Sequence, residues 1–258
     1  MDTVTAGTTP KNSAPTIERV KHDLKRRELL VETVETVTPQ MVRITLTGDS
    51  LSDFTSASPD DHVKLFFPQF AGEPAMRDYT PRRYDNDARR LVLDFAVHDA
   101  GPATDWALQA KPGMTLTVGG PRGSAVIRGV TRWLLIGDET ALPAIGRRIE
   151  EAAAGDSIVS LAAVAGAAEE QIFDTAADLR TLWVHRPLSQ ATDASILIEA
   201  LKDIEITPDT FVWIAAEGSV ARALRKYLRE DRGHPVEWIK AAGYWAKGQA
   251  DAHETITD

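Results

Sequence analysis

The stretch RDYT, residues 77–80, places a guanidinium, a phenol and a hydroxyl within four positions. Side chains alternate along an extended strand, so Arg77 and Tyr79 share one face and Thr80 follows directly. That face offers a cation and a π surface together, which suits a planar, phosphate-bearing ligand such as FAD. The guanidinium can fork onto phosphate oxygens, the ring can lie against the isoalloxazine, and the Thr80 hydroxyl comes within reach of the flavin N5 and O4 region. A solvated cross-strand cation–π pair would use the same residues, and the stretch alone leaves both readings open.

Three further segments carry chemistry of their own. GPAT, 101–104, precedes Asp105 and Trp106. A Gly-Pro start leaves the first-turn N–H groups of a helix unpaired, and Ala103 and Thr104 are small enough to admit a pyrophosphate; a capped surface helix reads the same way. GDETALPA, 137–144, follows the apolar run RWLLIG and opens a helix, at the carboxyl end of a first strand where α/β domains bind nucleotides. It is not GxGxxG, and Asp138 with Glu139 sets negative charge where a pyrophosphate would sit. The same acids make a favourable helix start against the macrodipole. Last, VEWIKAAGYWAKG, 236–248, carries Lys240, Tyr244, Trp245 and Lys247, and reads equally as an amphipathic closing strand packing its rings onto a sheet. The six histidines show no HxxxH or HxH spacing, so no metal ligand is assigned.

Two kinds of element must position these groups. From Leu29 onward, LLVETVETVT, MVRITLTG, DHVKLFFP, MRDYTPRRY, RLVLDFAVH and MTLTVGGPRG are short runs rich in Val, Leu, Thr and Phe, parted by Gly, Pro, Asp and Ser. Six close-set strands predict a small antiparallel barrel, interrupted by one short helix over GPATDWALQAKPG. After Gly129 strands alternate with helical stretches of 10 to 15 residues, which predicts a parallel sheet with crossover helices. The opening MDTVTAGTTPKNSAP has no apolar period and reads as a disordered tail.

Composition bounds the function. The 258 residues, 43% hydrophobic, suffice for one large domain or two of roughly 120 residues each. No run approaches a membrane span and no secretory h-region opens the chain, so the expectation is a soluble cytoplasmic protein. With no cysteine, disulfides, thiolate nucleophiles and Cys-ligated zinc or iron–sulfur clusters are excluded, leaving redox chemistry to a bound organic cofactor or a His/carboxylate metal site. The formal charge of -9 argues against a nucleic-acid partner. An anionic ligand would need a local basic patch.

Taken together and in this order, the segments resemble one family. VETVTPQMVRITLTG, DHVKLFFP, RDYTPRRYD, GPATDW, GPRGS, WLLIGDETALPAI, FVWIAAEG and GYWAKG, between about Arg27 and Gly248, are similar to the siderophore-interacting proteins, FAD-dependent ferric-siderophore reductases of the ferredoxin-NADP reductase superfamily. GDETALPAI is the specific motif, and it is intact. The resemblance implies a two-domain β plus α/β chain: a tail at 1–15, an N-terminal six-stranded antiparallel flavin-binding β-barrel at 16–128, and a C-terminal parallel-sheet α/β domain binding nicotinamide at 129–258.

By the same carry-over, Arg77, Tyr79, Thr80, Arg82, His98, Gly101, Pro102, Ala103 and Thr104 hold FAD, with Tyr79 and Thr80 at the reacting flavin. Gly137, Asp138, Glu139, Thr140, Ala141, Ala216 and Glu217 border the nicotinamide, which meets the objection to acids at a phosphate site. Lys64, Arg122, Lys240 and Lys247 supply the basic patch for an anionic ferric chelate. Implied is electron transfer from NADPH or NADH through FAD to the Fe(III) of a catecholate or hydroxamate siderophore. Two departures stand out. Ala215-Ala216-Glu217 replaces the family's frequent Ala-Gly-Glu, keeping ferredoxin in play as donor, and Ala246 stands where a second basic residue is common. Two other classes remain: a flavoenzyme with another acceptor, and a binding protein that holds a siderophore or flavin without turnover.

Overall fold

The computed structural model describes residues 14–67, 75–97, 101–249 and 254–257. Of the expected tail, residues 1–13 lie outside the described residues, and Ala14 and Pro15 lead into the first strand. In chain order come β1 (Thr16–Lys21), β2 (Arg26–Thr38), β3 (Met41–Thr47), β4 (Val63–Phe67), β5 (Ala75–Tyr79), β6 (Arg83–Asp85), β7 (Arg90–Ala96), α1 (Pro102–Gln109), β8 (Thr115–Gly119) and β9 (Gly123–Arg128). Strands β2 to β8 make one curled antiparallel sheet of seven strands in the order β5-β4-β8-β2-β3-β7-β6. A separate ribbon pairs β1 with β9.

The antiparallel expectation holds, with a different strand count. MRDYTPRRY divides into β5 and β6 because Pro81 has no N–H to donate and biases Thr80 toward an extended or turn conformation. Since β5 and β6 are the two edges of the sheet and only residues 80–82 join them, the sheet must curl until its edges lie within about 14 Å. The result is a half-barrel whose seam is at Thr80-Pro81-Arg82. Its core is the inward row of each strand, including Leu29, Ile44, Phe67, Leu93 and Phe95, with Trp106 from α1.

The second half contains β10 (Arg132–Asp138), α2 (Leu142–Glu150), β11 (Ser157–Val164), β12 (Asp178–His185), α3 (Ser195–Lys202), β13 (Phe211–Glu217), α4 (Gly218–Glu230), β14 (Ile239–Trp245) and β15 (Glu254–Ile256). Its sheet runs β12-β11-β10-β13-β14-β15, with every pair parallel except β14 with β15. The middle strand β13, FVWIAAE, is buried throughout, as a strand covered on both faces should be. No α-helix links β11 to β12, only a single 3-10 turn at Ala167–Glu169; the half-barrel packs there, Met41 joining Leu142, Ala162 and Val164 in one cluster.

Polar contacts complete that docking. Arg147 of α2 donates to Ser56 Oγ at 2.7 Å, Ser56 O at 2.9 Å and Pro81 O at 3.1 Å. Thr38 Oγ1 donates to Glu169 Oε2 at 2.6 Å. Thus the seam of the half-barrel is held against the first helix of the parallel sheet.

Candidate functional site

Register decides where the RDYT side chains go. Arg77 is opposite Leu65 and Tyr79 opposite Val63, both buried, so Arg77 and Tyr79 share the inward face of β5 as alternation requires. The Tyr79 ring lies 4.4 Å from Phe95 and 6.4 Å from Phe67, and both of these meet Trp106, at 5.8 and 5.7 Å. Burial pushes its phenol above the usual range, so Tyr79 acts as a neutral ring and hydroxyl. No cation–π contact joins Arg77 to Tyr79 among the described residues. Arg77 Nη1 instead donates to the adjacent Met76 carbonyl at 2.7 Å.

At α1, Gly101 is the N-cap in an extended conformation and no side chain caps the helix. Among the described residues no side chain caps the first-turn N–H groups, which begin at Ala103 because Pro102 has none, and Ala103 and Thr104 are buried. One turn on, the Trp106 indole Nε1 is buried without a hydrogen-bond acceptor among the described residues. A buried donor with no acceptor is costly, and an oxygen-rich ligand seated against α1 would relieve it. Available helix donors, an unmet indole N–H and a guanidinium beside an aromatic cluster fit a flavin dinucleotide. His98 lies outside the described residues.

GDETALPA forms the end of β10 and a turn into α2. Gly137 packs: a Cβ there would stand 2.6 Å from Ala141 Cβ and 2.8 Å from Ala215 O. Asp138, 2% exposed, is enclosed by donors. Its Oδ1 accepts from Thr140 N (3.0 Å) and Thr140 Oγ1 (2.6 Å), and its Oδ2 from Glu217 N (2.9 Å) and Trp245 Nε1 (2.9 Å). Its charge is thus absorbed in tying β10, β13 and β14 together. Glu139 accepts from Arg186 Nη2 at 2.8 Å; burial, and then the neighbouring Asp138 charge, push its carboxyl up to about 7 against the pull of Arg186. Ala141 is the fully buried N-cap of α2.

Ala216 is buried within β13, and Glu217 is the N-cap of α4, accepting from Ser219 N at 2.7 Å and Val220 N at 3.2 Å. Burial opposes its charge, yet the Ser219 hydroxyl and the N–H groups of Val220, Ser219 and Lys247 hold its carboxyl below the usual range. Its immediate role is structural.

Of the four cations, Lys64 and Lys240 are ion-paired. Lys64 lies 3.0 Å from Asp78, its cross-strand partner, on the face of β4 opposite Tyr79. Lys240 is ion-paired with Asp60, which also accepts from Trp213 Nε1 at 3.2 Å. Lys240 sits near the start of β14 and Lys247 beyond its end, a separation of more than five residues or about 17 Å. Arg122 and Lys247 are exposed.

Arg82 is engaged by carboxylates of both halves. Only 3% exposed, it forms a two-bond pair with Glu150 of α2, Nη1 to Oε2 at 2.8 Å and Nη2 to Oε1 at 2.5 Å, with Asp94 3.6 Å from Nε. Sequence reading did not single out Glu150 or Arg186, because an arginine far along the chain from its carboxylate gives no local pattern.

The same two halves appear in known proteins. Residues 130–248 match the family model described as siderophore-interacting protein, and residues 30–75 and 69–125 match the siderophore-interacting FAD-binding domain. Among curated proteins, the NADPH-dependent ferric-chelate reductase of Escherichia coli is 36% identical over 251 residues, covering 88% of this chain and 96% of the relative. Ferric vibriobactin reductase ViuB of Vibrio cholerae is 27% identical, covering 83% and 86%. A siderophore utilization protein from T. fusca superposes with a TM-score of 0.84 at 36% identity, covering 92% of this chain and 98% of that one. SipS from Aeromonas hydrophila gives 0.76 at 26%, covering 87% and 92%. A half-barrel and a parallel sheet, each matched by its own model and together by relatives of equal length, make this chain a member of the siderophore-interacting protein family.

Proposed function

We propose that the chain is an FAD-dependent ferric-siderophore reductase that carries electrons from NADPH or NADH to a ferric chelate, releasing Fe(II) in the cytoplasm. Residues 16–128 form its FAD unit and 129–258 its nicotinamide unit. The observation that carries this reading is the face built by Arg77 and Tyr79 beside the uncapped start of α1, with the indole of Trp106 unmet beneath it. FAD supplies chemistry that no side chain of a cysteine-free protein offers, taking up two electrons and passing them on singly.

The chain's own residues bind and orient. Arg77 and the α1 N–H groups hold phosphate, while Tyr79 lies against the ring system and Thr80 offers its hydroxyl at the reacting edge. Gly137 to Ala141 and Ala216 shape the nicotinamide side. There the acids are engaged inwardly, Asp138 by four neutral donors and Glu139 by Arg186, so neither carboxylate is left free to face a dinucleotide. Arg122 and Lys247 are the cations best placed by exposure to meet an anionic catecholate or hydroxamate chelate. Ferredoxin is the alternative donor.

A second reading keeps the flavoenzyme and changes its acceptor. It draws on the pairing of Lys64 with Asp78 and of Lys240 with Asp60, which thins the basic patch. Anaerobic visible spectra, taken before and after NADH or NADPH and then with a ferric siderophore, separate these. Flavin bands that bleach with nucleotide and return with chelate, while Fe(II) appears in a ferrozine trap, support the reductase. Bleaching without chelate-dependent return supports the second reading, and no flavin after reconstitution defeats both.

A further inference from the structure

With Lys64 paired to Asp78 and Lys240 to Asp60, an anionic chelate needs other cations, and the half-barrel supplies them beside Arg122. A hollow of about 330 Å³ lies between the β1–β2 link and the turn after β8, lined among others by Lys21, Asp23, Lys25, Arg27, Asp53 and Gly120. Its frame is fixed. Gly120 N donates to Lys25 O at 2.9 Å and His22 N to Arg122 O at 3.1 Å, so the link carrying Lys21 and Lys25 runs alongside Gly120 to Arg122. Arg27, 5% exposed, ties the wall together through Ser50 O (2.9 Å), Gly120 O (3.1 Å) and Asp53 Oδ1 (2.9 Å). Lys25 shares that same Asp53, a single carboxylate that cannot offset both charges. Lys21 is exposed and has no ion-pair partner among the described residues. Together with exposed Arg122, these cations outnumber Asp23 and Asp53 in a chain whose net charge is -9.

Register gives the distance to the flavin side. Lys64 pairs with Gly119 and Val63 with Tyr79. The backbone of Gly120, next after Gly119, is therefore two strand spacings from that of Tyr79, about 10 Å. We propose that this hollow seats one arm of a ferric chelate of net negative charge, with Lys21 and Lys25 as its binding cations. This rests on the reading of the chain as an FAD-dependent ferric-siderophore reductase, and it chooses among substrates. Fe(III) held by three catecholates is a trianion, whereas Fe(III) held by three hydroxamates is neutral. A positive hollow selects the first. Its volume, at the small end for ligand pockets, admits an arm of the chelate and leaves the iron at the rim.

The test uses the FAD-loaded full chain. Lys21→Glu reverses the unpaired charge, and Lys202→Glu makes the same change on α3; both lysines are exposed, so both variants should keep their flavin. Two probes are compared: steady-state reduction of Fe(III) tris-catecholate and tris-hydroxamate complexes, and binding of the redox-inert Ga(III) tris-catecholate to oxidised enzyme. Lys21→Glu is expected to raise KM for the ferric catecholate and Kd for its gallium counterpart about threefold to tenfold at low ionic strength, with the effect fading at high salt. KM for the hydroxamate complex, KM for the nucleotide and kcat should stay as in wild type. An unchanged KM and Kd in Lys21→Glu, or equal changes in Lys202→Glu, overturns the proposal alone, since chelate turnover still stands. A wild-type enzyme that neither binds the gallium complex nor reduces either ferric complex overturns the reductase reading, and the hollow's role with it.

Discussion

Arg82 and Glu150 form a two-bond ion pair, 2.8 and 2.5 Å, between the seam of the half-barrel and the last residue of α2. With Arg147 gripping Ser56 and Pro81 from the same helix, the seam that presents Thr80 is pinned to the parallel sheet. Breaking a buried pair by removing one partner leaves the other charge desolvated. Arg82→Met should therefore lower unfolding stability by about 3 kcal/mol. Urea melts check this, and a variant as stable as wild type would mean that Arg83, 3.0 Å from Glu150, suffices alone.

Arg77 has a different environment. Among the described residues its hydrogen bond goes to the carbonyl of its own neighbour, Met76, and ties no second element. Arg77→Ala should purify folded but largely without flavin, with a melt close to that of the flavin-stripped wild type. A full flavin complement in the absorption spectrum would remove Arg77 from the phosphate site.

Lys240 and Lys247 should separate cleanly. Lys240→Ala leaves buried Asp60 with its neutral donors and the more distant Arg148, and is expected to cost on the order of 3 kcal/mol of stability while leaving KM for a ferric catecholate unchanged. Lys247→Ala should leave stability unchanged and raise that KM at low ionic strength, the effect fading at high salt as screening shortens the field. Steady-state assays at two salt concentrations check both, and a KM effect at Lys240 equal to that at Lys247 would contradict the placement.

Glu139 makes stability depend on pH in a defined direction. Its carboxyl is pushed up from 4.5 to about 7, so between these values the folded chain binds more protons than the unfolded one. Its stabilising contribution is present below about 4.5 and lost as pH rises through about 7. Glu139→Gln should remove that loss, narrowing the difference between melts at low and high pH by on the order of 2 kcal/mol. Parallel pH profiles for the two proteins would show that Glu139 does not titrate in this window.

Much of the fold was legible in the sequence because it rests on local signals. Period-two runs marked the strands, Gly-Pro marked the start of α1, and a lengthened rhythm after Gly129 marked the parallel sheet. The division of MRDYTPRRY at Pro81 was written there too, since a missing N–H is a local property, although the run was read as one strand. The motif RDYT likewise declared the face shared by Arg77 and Tyr79, because alternation needs no partner to operate.

Tertiary structure alone decided what each charge faces. Asp138 and Glu139 read from their types alone as obstacles to a phosphate, an objection the family resemblance met, and folding brings Trp245, Glu217 N–H and Arg186 to them. Lys64, Arg82 and Lys240 read as ligand-facing cations until Asp78, Glu150 and Asp60 claimed them. The physical reason is common to all: periodicity sets the direction of a side chain from its own strand, whereas a charge is neutralised by whichever partner the packing of two sheets brings within a few ångströms.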